Sequence, residues 1–186
     1  MGECSWPGEN KLMRLYHDNE WCVPSFDDTY IFEMLTLEGA QAGLSWSIVL
    51  AKREAYKKAF RCFDIEYCAG LSDKDLEEIR IKYNVIKNLA KLKAVRSNAM
   101  SVIEIKKEFG SFSEFLWRYI DFKPVVNKWA DETDVPAKSE LSERISKDLK
   151  KLGFKFVGPV IIYSFMQAIG MVDDHIETCP MHSANR

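Results

Sequence analysis

The chain has 186 residues, an apolar fraction of 47% and a formal net charge of −2. That is enough for one domain with its own core, and too little positive charge for a broad nucleic-acid surface. There is no run of eighteen apolar residues and no charged-then-apolar leader, so the chain reads as a soluble, cytoplasmic protein with no membrane partner.

Asp27 and Asp28 are good N-cap types, and Ile31, Met34, Leu35 and Ala42 follow at i, i+3, i+4 and i+11, predicting a first helix. Ser45 caps a second, with Trp46, Val49 and Leu50 on one side and Lys52, Arg53, Lys57, Lys58 and Arg61 on the other. Leu71 and Ser72 open a third, with Leu76 and Ile79 inward. A long fourth runs from about Asn88 to Phe109, and Ser111 or Ser113 starts a fifth. Residues 121–138 carry Pro124, Pro136 and weak periodicity, which predicts a long connection. A sixth helix spans about Ser139 to Leu152. The stretch "VIIYSFMQAIG" is open between strand and helix, and Pro159 at its start with Gly170 at its end favours helix. The expected fold class is all-α.

Five cysteines, an odd number without a leader, argue against a disulfide framework. Cys4 and His17 stand near one end, and His175 and Cys179 near the other. One thiolate and one imidazole from each end is a donor set that zinc takes in closed tetrahedral sites. Without a CxxC knuckle, two surface histidines and two buried thiols remain the alternative. Cys22 and His182 lie in the same regions as spare or competing ligands, and Cys62 and Cys68 read as packing residues.

Glu38 falls seven residues after Ile31 and four after Met34, on the apolar stripe of the first helix, whereas Glu33 projects elsewhere and reads as solvated. A carboxylate on a buried stripe is either ion-paired or a pocket group waiting for a ligand. "GAQAGLSW" places small residues and a turn just after it, and Trp6, Tyr16 and Trp21 flank the N-terminal ligand candidates. Flat aromatic walls and one carboxylate suit a planar, amine-bearing or cationic ligand such as a purine. Core filling is the other use of those tryptophans. Further on, "LKKLGFKFVGPV" holds two glycines five apart between helices, with Lys150, Lys151 and Lys155 beside them. That chemistry grips a phosphate backbone without reading sequence; a glycine-capped turn gives the same pattern.

The stretches "YHDNEWCVP", "LEGAQAGLSW", "KREAY", "GFKFVGP", "YSFMQAIG" and "VDDH" together resemble the DNA-3-methyladenine glycosylase I family, a zinc-containing branch of the helix-hairpin-helix glycosylases. The resemblance implies one glycosylase domain over residues 1–186, with 1–26 and 171–186 as a zinc-tied terminal segment. It implies a structural Zn²⁺ held by Cys4, His17, His175 and Cys179. It also implies a base pocket of Trp6, Tyr16, Trp21, Glu38 and Trp46, with Glu38 as the catalytic carboxylate. Gln41, Gly43 and Leu44 would enter the duplex, and Gly153, Lys155 and Gly158 would hold its backbone. The implied activity is hydrolytic excision of 3-methyladenine from alkylated double-stranded DNA by a monomer, without a lyase step, leaving free 3-methyladenine. Ser164 and Gln167 are the candidates for activating water, since "VIIYSFMQAIG" holds no carboxylate. Two positions depart from the pattern: Met13, where an aromatic is expected, and Cys22, where the family has glycine. A zinc-stapled, non-catalytic DNA-binding module is the alternative function, and a glycosylase for another alkylated base is a second.

Overall fold

Caps decide where the helices begin. The computed structural model describes residues 2–186, and each predicted N-cap that it contains closes a side-chain hydrogen bond except Ser45. The chain runs α1 (Lys11–Asn19), α2 (Asp28–Gln41), α3 (Trp46–Leu50), α4 (Arg53–Ala59), α5 (Ile65–Ala69), α6 (Asp73–Lys82), α7 (Leu89–Phe109) and α8 (Phe112–Trp117). After a long connection come α9 (Glu140–Lys151) and α10 (Pro159–Ala168). Two-residue strands β1 (Val125–Val126) and β2 (Val172–Asp173) pair in parallel and tie the long connection to the C-terminal segment.

Two expectations about the helices need correction. The predicted second helix is broken at Ala51–Lys52 into α3 and α4, because the uncapped α3 ends after five residues. Helices α1 and α5 were not foreseen: α1 is nine residues long and takes its N-cap bonds from Asn10, outside any long apolar period. The stretch "VIIYSFMQAIG" is helical, as favoured, with Gly158 as N-cap and Pro159 at N1.

Helix α2 is the axis of the molecule. Every residue from Ile31 to Ala40 is buried, as expected of a helix packed on all sides, and α3, α7, α8 and α10 surround it. This burial overturns the reading of Glu33 as solvated. Glu33 is 6% exposed, and Arg53 of α4 reaches it through Nε at 2.7 Å and Glu20 through Nη1 at 2.8 Å. A buried carboxylate survives there because it is paired. Cys62, read as a packing residue, is exposed, while Cys68 is buried as read.

The end of α10 is pinned to the N-terminal segment. Cys22 N–H donates to the Gln167 carbonyl at 2.8 Å and Ser25 N–H to that of Ile169 at 3.0 Å. Gly170 has φ +70°, and a Cβ there would lie 2.2 Å from the carbonyl carbon of Val23. Gly170→Ala therefore combines backbone strain with overlap against backbone that cannot yield. It is expected to cost roughly 3 kcal/mol of stability, read as a lower denaturant midpoint; an unshifted midpoint would contradict the close packing.

Candidate active site

Tyr16 and His17 are adjacent on α1, so their side chains leave the helix about 100° apart. Tyr16 faces Trp46, with ring centroids 5.2 Å apart, and His17 faces His175 at 4.6 Å. One short helix thereby serves two neighbouring sites. Its predecessor, the N-terminal arm, is held by Glu132, which accepts from Ser5 N–H, from Ser5 Oγ at 2.7 Å and from Trp6 N–H at 3.2 Å.

The first site is a pocket of about 220 Å³ lined by Trp6, Tyr16, Trp21, Glu38, Gln41, Trp46, Ser164 and Gln167. Each residue expected of the base pocket is present, together with Gln41 of the expected duplex-entering loop and both water candidates. The volume suits one flat ring system rather than a drug-sized ligand. Its lining carries four buried polar atoms with no hydrogen-bond partner among the described residues: Trp6 Nε1, Tyr16 Oη, Glu38 Oε2 and Trp46 Nε1. Unpartnered polar atoms are rare in folded interiors, because each carries its full desolvation cost. Four around one cavity describe a binding site awaiting hydrogen-bond partners.

Glu38 is 3% exposed, and burial alone pushes its carboxyl from 4.5 up to about 8. No cation compensates it, which separates it from Glu33. The neighbouring Tyr16 phenol is also pushed up, first by burial and then by the charge of Glu38. A cation entering the pocket would reverse both effects.

The second site gathers Cys4, His17, His175 and Cys179, all buried, with donor atoms within 4.8 Å of one another. Cys4 Sγ lies 3.7 Å from His175 Nδ1, and Cys179 Sγ lies 3.7 Å from His17 Nε2 and 3.5 Å from His175 Nδ1. Tetrahedral zinc with ordinary Zn–S and Zn–N bonds separates sulfur from nitrogen by about 3.5 Å, so the donor set fits that ion. The remaining ring nitrogens are engaged as ligating histidines require: His17 Nδ1 meets Asp18 Oδ1 at 2.7 Å and His175 Nε2 meets the Trp21 carbonyl at 3.3 Å. Burial pushes the Cys4 thiol up to about 12 and, with His17 nearby, pulls His175 down to about 4. Neutral imidazole is the ligating form, and a buried thiol ionises only beside a cation.

The spare ligands stand apart from this set. His182 Nε2 meets the Asn127 carbonyl at 3.0 Å, and its Nδ1 accepts from Ala184 N–H at 3.1 Å. Cys22 groups with Asp173 and the shared His175, but its sulfur already accepts from Asp174 N–H at 3.3 Å. Its φ of 61° is left-handed, the conformation in which glycine is the default. Met13 does not line the pocket.

Trp6 and Trp21 join the two sites. They meet edge to face at 5.0 Å, and Trp21 also packs on His175 at 4.6 Å. The histidine of "YHDNEW" thus faces the donor cluster, while the aromatics on either side of it wall the pocket.

Beyond α2 the chain turns through Gly43 (φ +77°) to Leu44, which is 37% exposed. Lys91 of α7, missed in the sequence, fixes this turn by donating to the carbonyls of Ala40 at 2.8 Å and Ala42 at 2.7 Å. Its spacing from Ala94, Val95 and Asn98, by three, four and seven, was the available signal. The α9–α10 turn is closed by Gly153 N–H to the Lys150 carbonyl at 3.1 Å and Phe154 N–H to that of Leu149 at 3.0 Å, a Schellman motif with Gly153 at φ +92°. Asn98 brackets Lys155, donating to its carbonyl at 3.1 Å and accepting from its N–H at 2.8 Å. Both turns therefore hang from α7. An open groove of about 490 Å³ runs beside them, lined by Lys93, Arg96, Ser97, Lys155 and Phe156 among others.

Comparison with known proteins agrees with this arrangement. The methyladenine glycosylase family profile matches residues 6–182. A DNA-3-methyladenine glycosylase of Haemophilus influenzae is 44% identical over 95% of this chain and 96% of its own. DNA-3-methyladenine glycosylase 1 of Escherichia coli is 39% identical over the full length of both. The crystal structure of a tyrosine-to-phenylalanine variant of 3-methyladenine DNA glycosylase I in complex with 3-methyladenine superposes with a TM-score of 0.95, at 36% identity, covering 98% of each chain. The chain belongs to the methyladenine glycosylase family.

Proposed function

We propose that this protein is a DNA repair glycosylase that excises 3-methyladenine by hydrolysing its N-glycosidic bond, as its relatives are named for doing. The observation that carries the reading is the flat-walled pocket with Glu38 buried and unpaired at its interior. Trp6, Trp21 and Trp46 give stacking faces, and Glu38 accepts a hydrogen bond from the exocyclic amine. Because N3-methylation makes the nucleoside cationic, a buried carboxylate favours the lesion over adenine. The charge also weakens the glycosidic bond, so little chemical power is needed from the protein. No lysine lines the pocket, in keeping with a hydrolysis that stops at base release.

The base must leave the helix to reach the pocket, at a cost of roughly a few kcal/mol, less for a damaged base. Gln41, Gly43 and Leu44 enter the space it vacates. The Gly153–Gly158 turn acts as the hairpin of a helix-hairpin-helix, with Lys155 and the start of α10 facing the phosphates. Cys4, His17, His175 and Cys179 hold a Zn²⁺ that is structural, since four protein donors leave no open position. Residues 1–26 and 171–186 form the metal-tied segment of a single domain that works as a cytoplasmic monomer on alkylated duplex DNA.

The test is chromatography of bases released from a methylated duplex. Free 3-methyladenine is the expected product. A folded, metal-loaded protein that binds the duplex and releases no base would favour the non-catalytic module, and release of a different base would redefine the substrate.

A further inference from the structure

The pocket is graded in burial. Glu38 and Tyr16 are buried, while Trp6, Trp21, Gln41, Trp46, Ser164 and Gln167 are half-buried, and of these only Gln41, Ser164 and Gln167 carry side-chain acceptors. A base enters with its ring deep and its sugar at the open end, so the residues nearest the bond to be broken are those of the half-buried rim. Ser164 and Gln167 stand three apart on one face of α10.

Gln167 is oriented by a buried carboxylate. Its Nε2 donates to Asp174 Oδ2 at 2.7 Å. The other oxygen of Asp174 accepts from Asn127 Nδ2 at 2.6 Å and Trp129 Nε1 at 2.7 Å, and the residue is 1% exposed. A carboxylate offers acceptors only, so the amide nitrogen of Gln167 must face it. The carbonyl oxygen Oε1 is thereby the end of the amide not held by Asp174, and Gln167 lines the pocket. Although "VIIYSFMQAIG" holds no carboxylate, one stands against it: Asp174, one residue beyond β2, contacts the amide of Gln167.

We propose that Gln167, locked by Asp174, is the acceptor that orients the attacking water during base release. The proposal rests on the glycosylase reading above and assigns it a water-positioning residue. The water oxygen bonds to the sugar C1′ as the glycosidic bond breaks. The bond's electron pair leaves with the base and neutralises cationic 3-methyladenine, and the water's surplus proton passes to solvent. A neutral amide does not take that proton; it fixes the direction of the oxygen lone pair. Asp174 is a positioning residue and touches neither water nor base.

The test exploits the reversibility of an amide. In Asp174→Asn the new side chain must still accept from Asn127 and Trp129, so it turns its NH₂ to Gln167 and draws Oε1 away from the pocket. Gln167→Leu removes the acceptor together with the donor to Asp174 Oδ2, while Asn127 and Trp129 still hold the other oxygen of Asp174. Both variants are expected to lose about tenfold in single-turnover release from a methylated duplex, below the 10²–10⁴ range of true general base catalysis. Their affinity for free 3-methyladenine, followed by tryptophan fluorescence, stays within about twofold of wild type. The double variant Asp174→Asn/Gln167→Glu restores an acceptor held by an NH₂ donor, and its rate returns to within about threefold of wild type. Full rates in Gln167→Leu, or a rate loss matched by an equal loss of 3-methyladenine affinity, would overturn the proposal. Absence of release by the wild type would overturn it together with the glycosylase reading, a distinct result.

Discussion

Removing the metal, by chelation or by Cys179→Ser, is expected to lower stability by about 5 kcal/mol, equivalent to about 10–20 °C in Tm for a domain of this size. The figure lies below the 10–16 kcal/mol of small zinc modules because α2, α7 and α10 keep a core of their own. The terminal arms carry a small satellite cluster of Cys4, Ile176 and Cys179 apart from the main core. Their hold on the body is the donor set and the Glu132 clamp, beside the β1–β2 pairing and the backbone bonds of Cys22 and Ser25 to the end of α10. Since Trp6 packs on His17 and Trp21 on His175, loss of the proposed metal is expected to loosen the pocket walls, so that affinity for free 3-methyladenine falls together with Tm. Metal content by elemental analysis, Tm and ligand titration measure this in parallel. A Cys179→Ser protein with wild-type metal content and Tm would refute the zinc assignment.

Glu38→Gln is expected to separate activity from stability. Loss of a charge-assisted hydrogen bond to a cationic base costs about 1.5–3 kcal/mol, or up to about a hundredfold in kcat/KM. Stability should move the other way. The carboxyl is lifted in the folded protein from 4.5 to about 8, so the folded state binds a proton that the unfolded state has released. Folding then loses stability as pH rises from about 4.5 to about 8, and the loss is complete above that window. The glutamine variant has no such proton, and it should be more stable than wild type by about 3 kcal/mol at pH 7. Denaturant midpoints between pH 5 and pH 9 test this. Parallel pH profiles for the two proteins would show that Glu38 is compensated by a charge in the folded state. Binding of the cationic lesion needs the ionised form, so wild-type kcat/KM should rise with pH and flatten above about 8, and the variant's should not.

The two effects share one cause, an uncompensated buried carboxylate. Glu33 makes the contrast from the same helix. It is equally buried, but Arg53 and Lys57 reach it, so it links α2 to α4 and offers nothing to a ligand.

Local chemistry was legible in the residues themselves. Asp27, Ser72, Asn88, Ser111 and Ser139 announced their helices because a cap bond spans only two or three residues. Glu38 was legible because a charge in an apolar period is conspicuous, and the four proposed metal donors because their types are few. Burial and long-range pairing were not. Glu33 looked solvated because periodicity describes one stripe, and only packing on every side of α2 removed the solvent face. Helix α1 escaped because its stability comes from docking Tyr16 and His17. Asp174 could not be assigned to Gln167 from sequence, since the partners that orient it, Asn127 and Trp129, arrive through the β1–β2 pairing. Sequence alone thus determined the side-chain-capped helices α2, α6, α7, α8 and α9, the donor types and the odd carboxylate. Tertiary structure decided which charges are paired and which are left facing a cavity, because desolvation and partnership exist only once distant segments are packed together.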